Sequence, residues 1–244
     1  MSDSKLIFGT MPIGDLDDST YSLINHIKNA DLIAVENEEV VKDIINYYKL
    51  SINGKIISLS PEKFIKNGQT NKTEIIKSLE KIHDEILEHI SLNKTVLCLS
   101  EEGSAIMVDP FDTIRQLAIL HNIKYKVLPG PSAIIHSLSY SKLYNGVSFS
   151  FYGMAFYNKN KTWIYQKIKD SQEPSVLFYH HEIQDPFFKE LKKNVGSDRK
   201  ATLLSNLTKD RELIIDGTIE DIANFVEKND VRKPTLVIAG KNVL

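Results

Sequence analysis

Apolar positions along the first half of the chain alternate between two periods. Leu6–Phe8, Leu32–Val35, Ile56–Leu59, Val96–Leu99 and Tyr125–Leu128 are short apolar runs, too short for helices and suited to buried strands. Amphipathic stretches lie between them. Leu23, Ile24 and Ile27 share one helical face, as do Val40, Val41, Ile44 and Ile45. Ile75, Ile76, Leu79, Ile82, Ile86 and Ile90 form a longer stripe, and Ile114, Leu117 and Ala118 a short one. Strand–helix alternation of this kind predicts a parallel sheet with helices on both faces.

After Ser132 the pattern changes. Val147–Tyr152, Val176–Tyr179, Ala201–Leu204, Leu213–Ile215 and Leu236–Ala239 read as strands, with helical patterns near Lys161–Ile168, Pro186–Lys193 and Ile219–Val226. Only a polar turn separates Ala201–Leu204 from Leu213–Ile215, which predicts an antiparallel pair. The fold class is therefore α/β, with an N-terminal parallel-sheet domain over residues 1–128 and a C-terminal α+β domain with a mixed sheet over residues 129–244. Pro129, Gly130 and Pro131 punctuate the boundary.

Composition narrows the function classes. The 244 residues are 42% apolar and 25% charged, with a formal charge of −2, so there is no global attraction to nucleic acid. No segment reaches the ~20 apolar residues of a membrane span, and the N-terminus lacks the pattern of a signal peptide. The single cysteine, Cys98, lies inside an apolar strand and reads as a buried hydrophobe in a reducing compartment. These features predict a soluble cytoplasmic protein. Neither the histidines nor Cys98 have metal-ligand spacing, so no metal site is predicted.

Three loops at predicted strand ends carry the candidate chemistry. The first runs from Thr10 to Asp18, where Pro12 and Gly14 shape a tight turn and Ser19 is placed to cap the next helix. The second is Ser100–Ser104, followed by Asp109 as a helix cap and Pro110 as the first helical residue. Its two glutamates, Glu101 and Glu102, disfavour a phosphate and suit a cationic or ribose-bearing ligand. The third, Gly130-Pro131-Ser132, opens a helix with Ser132 at its cap. Loops at the carboxyl edge of an open α/β sheet are where small molecules bind. Glu36, Glu101, Glu102 and Asp109 all lie near predicted strand ends, which leaves acid–base chemistry through a carboxylate pair open.

Taken together, these loops resemble those of the tetrapyrrole methylase-like (class III) S-adenosylmethionine-dependent methyltransferases. Within that superfamily the chain is similar to the bacterial 16S ribosomal RNA cytidine 2′-O-methyltransferase branch. The branch's T-P-I-G-N-L-x-D loop is matched by Thr10-Met11-Pro12-Ile13-Gly14-Asp15-Leu16-Asp17-Asp18, with one inserted residue. Its A-D-L-I-A-A-E-D element is matched by Ala30–Asn37, and its S-D-A-G-T-P…D-P-G loop by Ser100–Ala105 with Asp109-Pro110-Phe111. P-G-P-S-A recurs unchanged at Pro129–Ala133. Phe178-Tyr179-His180-His181 partly matches F-Y-E-S-P-H, and Ser205–Lys209 corresponds to R-E-L-T-K.

The resemblance implies two α/β domains, a homodimer, and S-adenosylmethionine held in a cleft between the domains. It places Pro12, Gly14, Leu99, Ser100, Glu101, Gly103, Ser104, Gly130, Pro131 and Ser132 at the cofactor, together with Tyr152, Gly153, Met154, Ser205, Asn206 and Leu207. If the acceptor is a ribose 2′-hydroxyl, a base must take its proton. Glu36 and Lys209 are the two candidates. Glu38 and Glu39 stand where the branch is basic, which reduces phosphate contacts there. Ribosomal RNA is thus one acceptor class. A tetrapyrrole or other small molecule is a second, and a catalytically silent cofactor-binding protein is a third reading.

Overall fold

A computed structural model describes residues 4–59, 65–66, 69–70, 72–153, 162–179, 183–232 and 234–241. The chain divides into two compact units, Met1–Pro131 and Ser132–Leu244.

The first unit follows the order β1 (Leu6–Phe8), β2 (Thr10–Met11), α1 (Tyr21–Asn29), β3 (Leu32–Val35), α2 (Glu38–Tyr47), β4 (Lys55–Ser58), β5 (Ile65–Lys66), β6 (Gln69–Thr70), α3 (Lys72–Ser91), β7 (Val96–Leu99), β8 (Gly103–Ser104), α4 (Asp112–Leu120) and β9 (Tyr125–Val127). Five strands form a parallel sheet in the order β4-β3-β7-β1-β9. The expectation of helices on both faces holds. Ile7, Ile33, Val35, Leu97 and Leu99 pack with Leu23 and Ile27 of α1 and Val41 and Ile44 of α2. Leu6, Phe8, Leu32, Ala34, Val96 and Cys98 point the other way, onto Ile82 and Ile86 of α3 and Ile114 and Ala118 of α4. Strands covered on both sides must be apolar at every position, which is why these runs do not alternate. Cys98 is fully buried, and burial pushes its thiol pKa well up, so it behaves as the expected inert hydrophobe.

The strand order contains one reversal. The chain leaving β1 crosses β7 to reach β3, whereas the chain leaving β7 crosses β1 to reach β9. The crossover direction therefore reverses between the adjacent strands β1 and β7, and open α/β sheets take ligands at the carboxyl ends of such a pair.

The second unit contains α5 (Ala133–Tyr140), β10 (Ser150–Phe151), α6 (Thr162–Asp170), β11 (Ser175–Phe178), α7 (Gln184–Asn194), β12 (Lys200–Ser205), β13 (Leu213–Thr218), α8 (Ile219–Val226) and β14 (Thr235–Ile238). Its sheet runs β10-β11-β14-β12-β13, with β10 parallel to β11 and the other neighbours antiparallel. The predicted pair is present: Leu203 lies opposite Ile215 and Leu204 opposite Ile214. One sheet face packs Leu177, Leu203, Leu236 and Ile238 against Tyr165, Phe187, Leu191 and Ile222 of α6, α7 and α8. Near the end of α5 a polar chain ties the helix to the sheet. Ser141 Oγ lies 3.1 Å from Thr202 Oγ1, Thr202 Oγ1 donates to Asp216 Oδ1 at 2.9 Å, and Lys142 Nζ pairs with Asp216 Oδ2 at 2.8 Å.

Several local expectations are corrected. Thr20, not Ser19, caps α1, its hydroxyl accepting from Leu23 N–H at 3.1 Å; Ser19 ends a preceding 3-10 turn at Leu16–Asp18. Asp109 and Pro110 do not open α4. Asp109 Oδ1 accepts from Phe111 N–H at 2.9 Å in a turn that buries Phe111, and the helix begins at Asp112. The expected strand Val147–Tyr152 is reduced to Ser150–Phe151. Asn145 Oδ1 accepts from Val147 N–H, and Gly146 has φ +81°, so the chain is still turning at Val147. Ser132 does cap α5.

Candidate functional site

The site is built from the loops that leave β1, β3, β7 and β9. Gly9 follows β1 directly, and a Cβ there would lie 2.3 Å from Leu99 Cδ2. Glycine there leaves room for the Leu99 side chain, which would otherwise have to shift. Beyond it β2 and β8 form a two-residue antiparallel ribbon, with Thr10 opposite Ser104 and Met11 opposite Gly103. The loops after β1 and β7 are thus zipped together by backbone pairing. Ser100, almost fully buried, donates through Oγ to Gly103 O at 2.8 Å and holds the second loop in a tight turn. Gly103 sits at φ +67°, a conformation that side chains rarely adopt.

The loop after β9 closes onto this ribbon. Thr10 Oγ1 donates to Leu128 O at 2.6 Å. A Cβ on Gly130 would come within 2.7 Å of Thr10 Cγ2, so the backbone at Gly130 rests on Thr10. A Cβ on Gly103 would lie 4.0 Å from both Ile13 Cγ2 and Pro131 O. Gly103 therefore marks the convergence of all three loops. Pro12, Leu99, Ser100, Gly103 and Pro131 are brought to one edge; Gly14, Glu101, Ser104 and Gly130 belong to the same loops.

Acidic side chains gather at this edge. Glu36 ends β3, and its N–H donates to Leu99 O at 3.2 Å. It does not cap α2. Asn37 does so, accepting from Glu39 N–H at 3.1 Å while its Nδ2 donates to Glu101 Oε1 at 3.3 Å. The carboxyl pKa of Asp109 is pushed up to about 8, first by burial and then by the nearby charges of Glu36 and Glu101. Asp109 is therefore mostly protonated at neutral pH. In that state its carboxyl carries an O–H donor. Glu38 and Glu39, by contrast, have an ordinary structural explanation. They occupy the first turn of α2, where the helix dipole favours acids, and both pair with Lys42.

The second-unit positions lie at strand ends of their own sheet. β10 and β12 run in the same direction, because two antiparallel steps separate β11 from β12. Tyr152-Gly153 and Ser205-Asn206-Leu207 therefore leave the same sheet edge, with β11 and β14 between them. Gly153 has φ +51°, and Asn206 and Thr208 have φ of 51° and 63°, so both exits are sharp turns. Ser205 donates to Arg232 O, Leu207 is buried, and Lys209 N–H donates to Asn206 O at 3.0 Å. Glu36 and Lys209 thus stand at strand ends of different units. Met154, His180 and His181 lie outside the described residues. Among the described residues no group of His, Cys, Asp and Glu is placed to hold a metal ion, and no helix is long and apolar enough to cross a membrane.

Sequence reasoning missed Gly9 and Asn37, and it singled out Thr10 only as the start of the first loop. Gly9 and Thr10 carried a readable signal, a glycine directly after a strand and before a polar β-branched residue. The Asn37–Glu101 link did not, since 64 residues separate the pair.

Comparison with known proteins extends these observations. A family profile described as "Tetrapyrrole (Corrin/Porphyrin) Methylases" matches residues 5–223. The chain is 24% identical over 97% of its length to a protein of Thermotoga maritima named ribosomal RNA small subunit methyltransferase I, covering 99% of that protein. It is 27% identical to a protein of the same name from Hydrogenobaculum, covering 98% of this chain and 97% of the relative. Among solved structures, a cobalt precorrin-4 methyltransferase of cobalamin biosynthesis aligns with a TM-score of 0.67 at 16% identity, covering 96% of this chain and 93% of the other. A uroporphyrin-III C-methyltransferase of Thermus thermophilus aligns with a TM-score of 0.68 at 13% identity, covering 97% and 94%.

Proposed function

From the premise that this chain belongs to the tetrapyrrole (corrin/porphyrin) methylase family, and is an S-adenosylmethionine-dependent methyltransferase, we propose that it methylates a ribose 2′-hydroxyl of small-subunit ribosomal RNA. The observation that carries this reading is the end-to-end similarity to proteins named ribosomal RNA small subunit methyltransferase I, which leaves almost no part of either chain unmatched. Charge supports it. Residues 132–244 hold 16 Lys and Arg against 13 Asp and Glu, whereas residues 1–131 hold 14 against 19. The second unit is the half that favours a polyanion.

Residues at the first unit's sheet edge support cofactor binding there. Its acceptors, Glu36 and Glu101, suit a ligand with cationic and hydroxyl groups. Gly103 leaves the backbone bare where the three loops converge, and Gly130 lets the third loop rest directly on Thr10. When bound, S-adenosylmethionine supplies a methyl group already activated on a sulfonium. Pro12, Gly14, Leu99, Ser100, Glu101, Gly103, Ser104, Gly130 and Pro131 would hold it, and the family resemblance adds Ser132, Tyr152, Gly153, Met154, Ser205, Asn206 and Leu207. The chain's own work is alignment of the acceptor, exclusion of water and removal of one proton. We assign that proton to the Glu36 carboxylate, with Lys209 as the alternative base. The resemblance supports a cytoplasmic homodimer as the working form.

The test supplies purified protein with methyl-tritiated cofactor and, separately, unmethylated small ribosomal subunits and a porphyrinoid. Label in ribosomal RNA that survives alkali as a resistant dinucleotide supports the proposal, because a methylated 2′-oxygen cannot attack the adjacent phosphate. Label in the porphyrinoid alone, or in neither, overturns it.

A further inference from the structure

We propose that a groove in the second unit, of about 480 Å3, binds an unpaired RNA nucleotide, with Trp163 as its stacking face and Lys167 as its phosphate contact. The proposal deepens the RNA reading and rests on it. The groove lies between α6 and the β10–β11 edge of the sheet, and its volume falls in the range of small-ligand sites. Trp163 is 50% exposed, although tryptophan is highly buried on average. Tyr152 meets it edge to face with ring centroids 6.3 Å apart, and Tyr152 itself packs against the core beneath α6. Trp163 thus has an aromatic neighbour in Tyr152 and remains half exposed, which suits a stacking platform.

The polar wall is asymmetric in a way that suits a nucleotide. Lys167 lies one turn along α6 from Trp163, is exposed, and makes no ion pair among the described residues. The two carboxylates of the groove are already engaged. Asp170 pairs with Lys241 at 3.0 Å and accepts from Gln166, and both hold its carboxyl below the usual range. Glu173 accepts from the hydroxyls of Ser150 and Ser148, which hold it down likewise. Lys167 is left as the cation able to meet a phosphate, while the held carboxylates keep lone pairs for an exocyclic amino group such as that of cytosine. Sequence-tolerant recognition of single strands combines an aromatic face with a nearby cation in this way.

Trp163 is the chain's single tryptophan, so its emission reports on this groove alone. Full-length protein is titrated with a short fluorescein-labelled oligocytidylate, following anisotropy for binding and tryptophan emission for stacking. Binding should quench the emission. Trp163→Ala should weaken binding about tenfold, Trp163→Phe should restore most of it, and Lys167→Glu should reduce the slope of log affinity against log salt by about one. Trp163 is half exposed, so thermal unfolding of the variants should match wild type. Equal affinity of wild type and Trp163→Ala removes the groove, whatever the emission does, and leaves the RNA reading standing. Failure of wild type to bind either the oligonucleotide or ribosomal subunits removes both.

Discussion

Thr10 Oγ1 donates to the Leu128 carbonyl at 2.6 Å, joining residues 118 apart in sequence. The bond ties the loop leaving the first strand of the parallel sheet to the loop leaving its last. Both groups are buried, so neither has water as an alternative partner.

Replacing Thr10 with Val keeps the shape and removes the donor. A buried carbonyl left unpaired costs about 1–3 kcal/mol. Thr10→Val should therefore lower the unfolding free energy by that amount in denaturant titration. It should also weaken S-adenosylmethionine binding in calorimetry, because the Gly130 loop loses its tether. An unchanged affinity would show that the tether does not shape the cofactor site.

Gly130→Ala tests the close approach from the other side. The added Cβ would lie 2.7 Å from Thr10 Cγ2 and 2.8 Å from Thr10 Cβ, a separation that forces the backbone to move. Overpacking of this kind costs about 1–3 kcal/mol. A drop in melting temperature with a parallel loss of cofactor affinity is expected, and Thr10→Ser in the same chain should recover part of both.

Asp109 sets a pH dependence. Its folded pKa of about 8 lies above the unfolded carboxylate value, so folding takes up a proton between those two limits. The associated stability is complete below the unfolded value, declines as pH rises through the window, and is fully lost above about pH 8. Asp109→Asn retains an acceptor for Phe111 N–H and cannot ionise. Its melting temperature should match wild type near pH 4 and exceed it at pH 8, by a margin on the order of a few kcal/mol of stability. Parallel curves for the two proteins across that range would contradict the assignment.

Glu36→Gln separates chemistry from binding. The variant should transfer methyl groups about 100-fold to 10,000-fold more slowly while cofactor affinity stays within error, the range expected for losing a general base. If turnover is unchanged, Lys209→Met becomes the decisive variant, read by the same pair of measurements.

Much of the architecture was legible along the chain because burial imposes its period locally. Leu6–Phe8, Leu32–Val35 and Val96–Leu99 are apolar at every position, and each is a central strand covered by helices on both faces. The antiparallel partnership of Leu203 with Ile215 followed from a connection too short for a helix. Local turn chemistry was less secure. Ser19 and Thr20 are equally able to cap a helix, and the choice fell to Thr20 because a 3-10 turn used the intervening residues.

The chain's pattern of apolar runs, glycines and turn residues was enough to predict two α/β units and to single out the loops at their strand ends. It did not contain the order of the strands. Only the crossovers β1 to β3 and β7 to β9 place the reversal between β1 and β7, and so decide that Thr10, Gly103 and Pro131 meet. The protonated state of Asp109 was hidden for the same reason, since it arises from burial and from carboxylates contributed by β3 and the loop after β7. Periodicity records how a residue faces its own element, whereas polar partners and proton affinities depend on which distant elements the folded chain sets beside it.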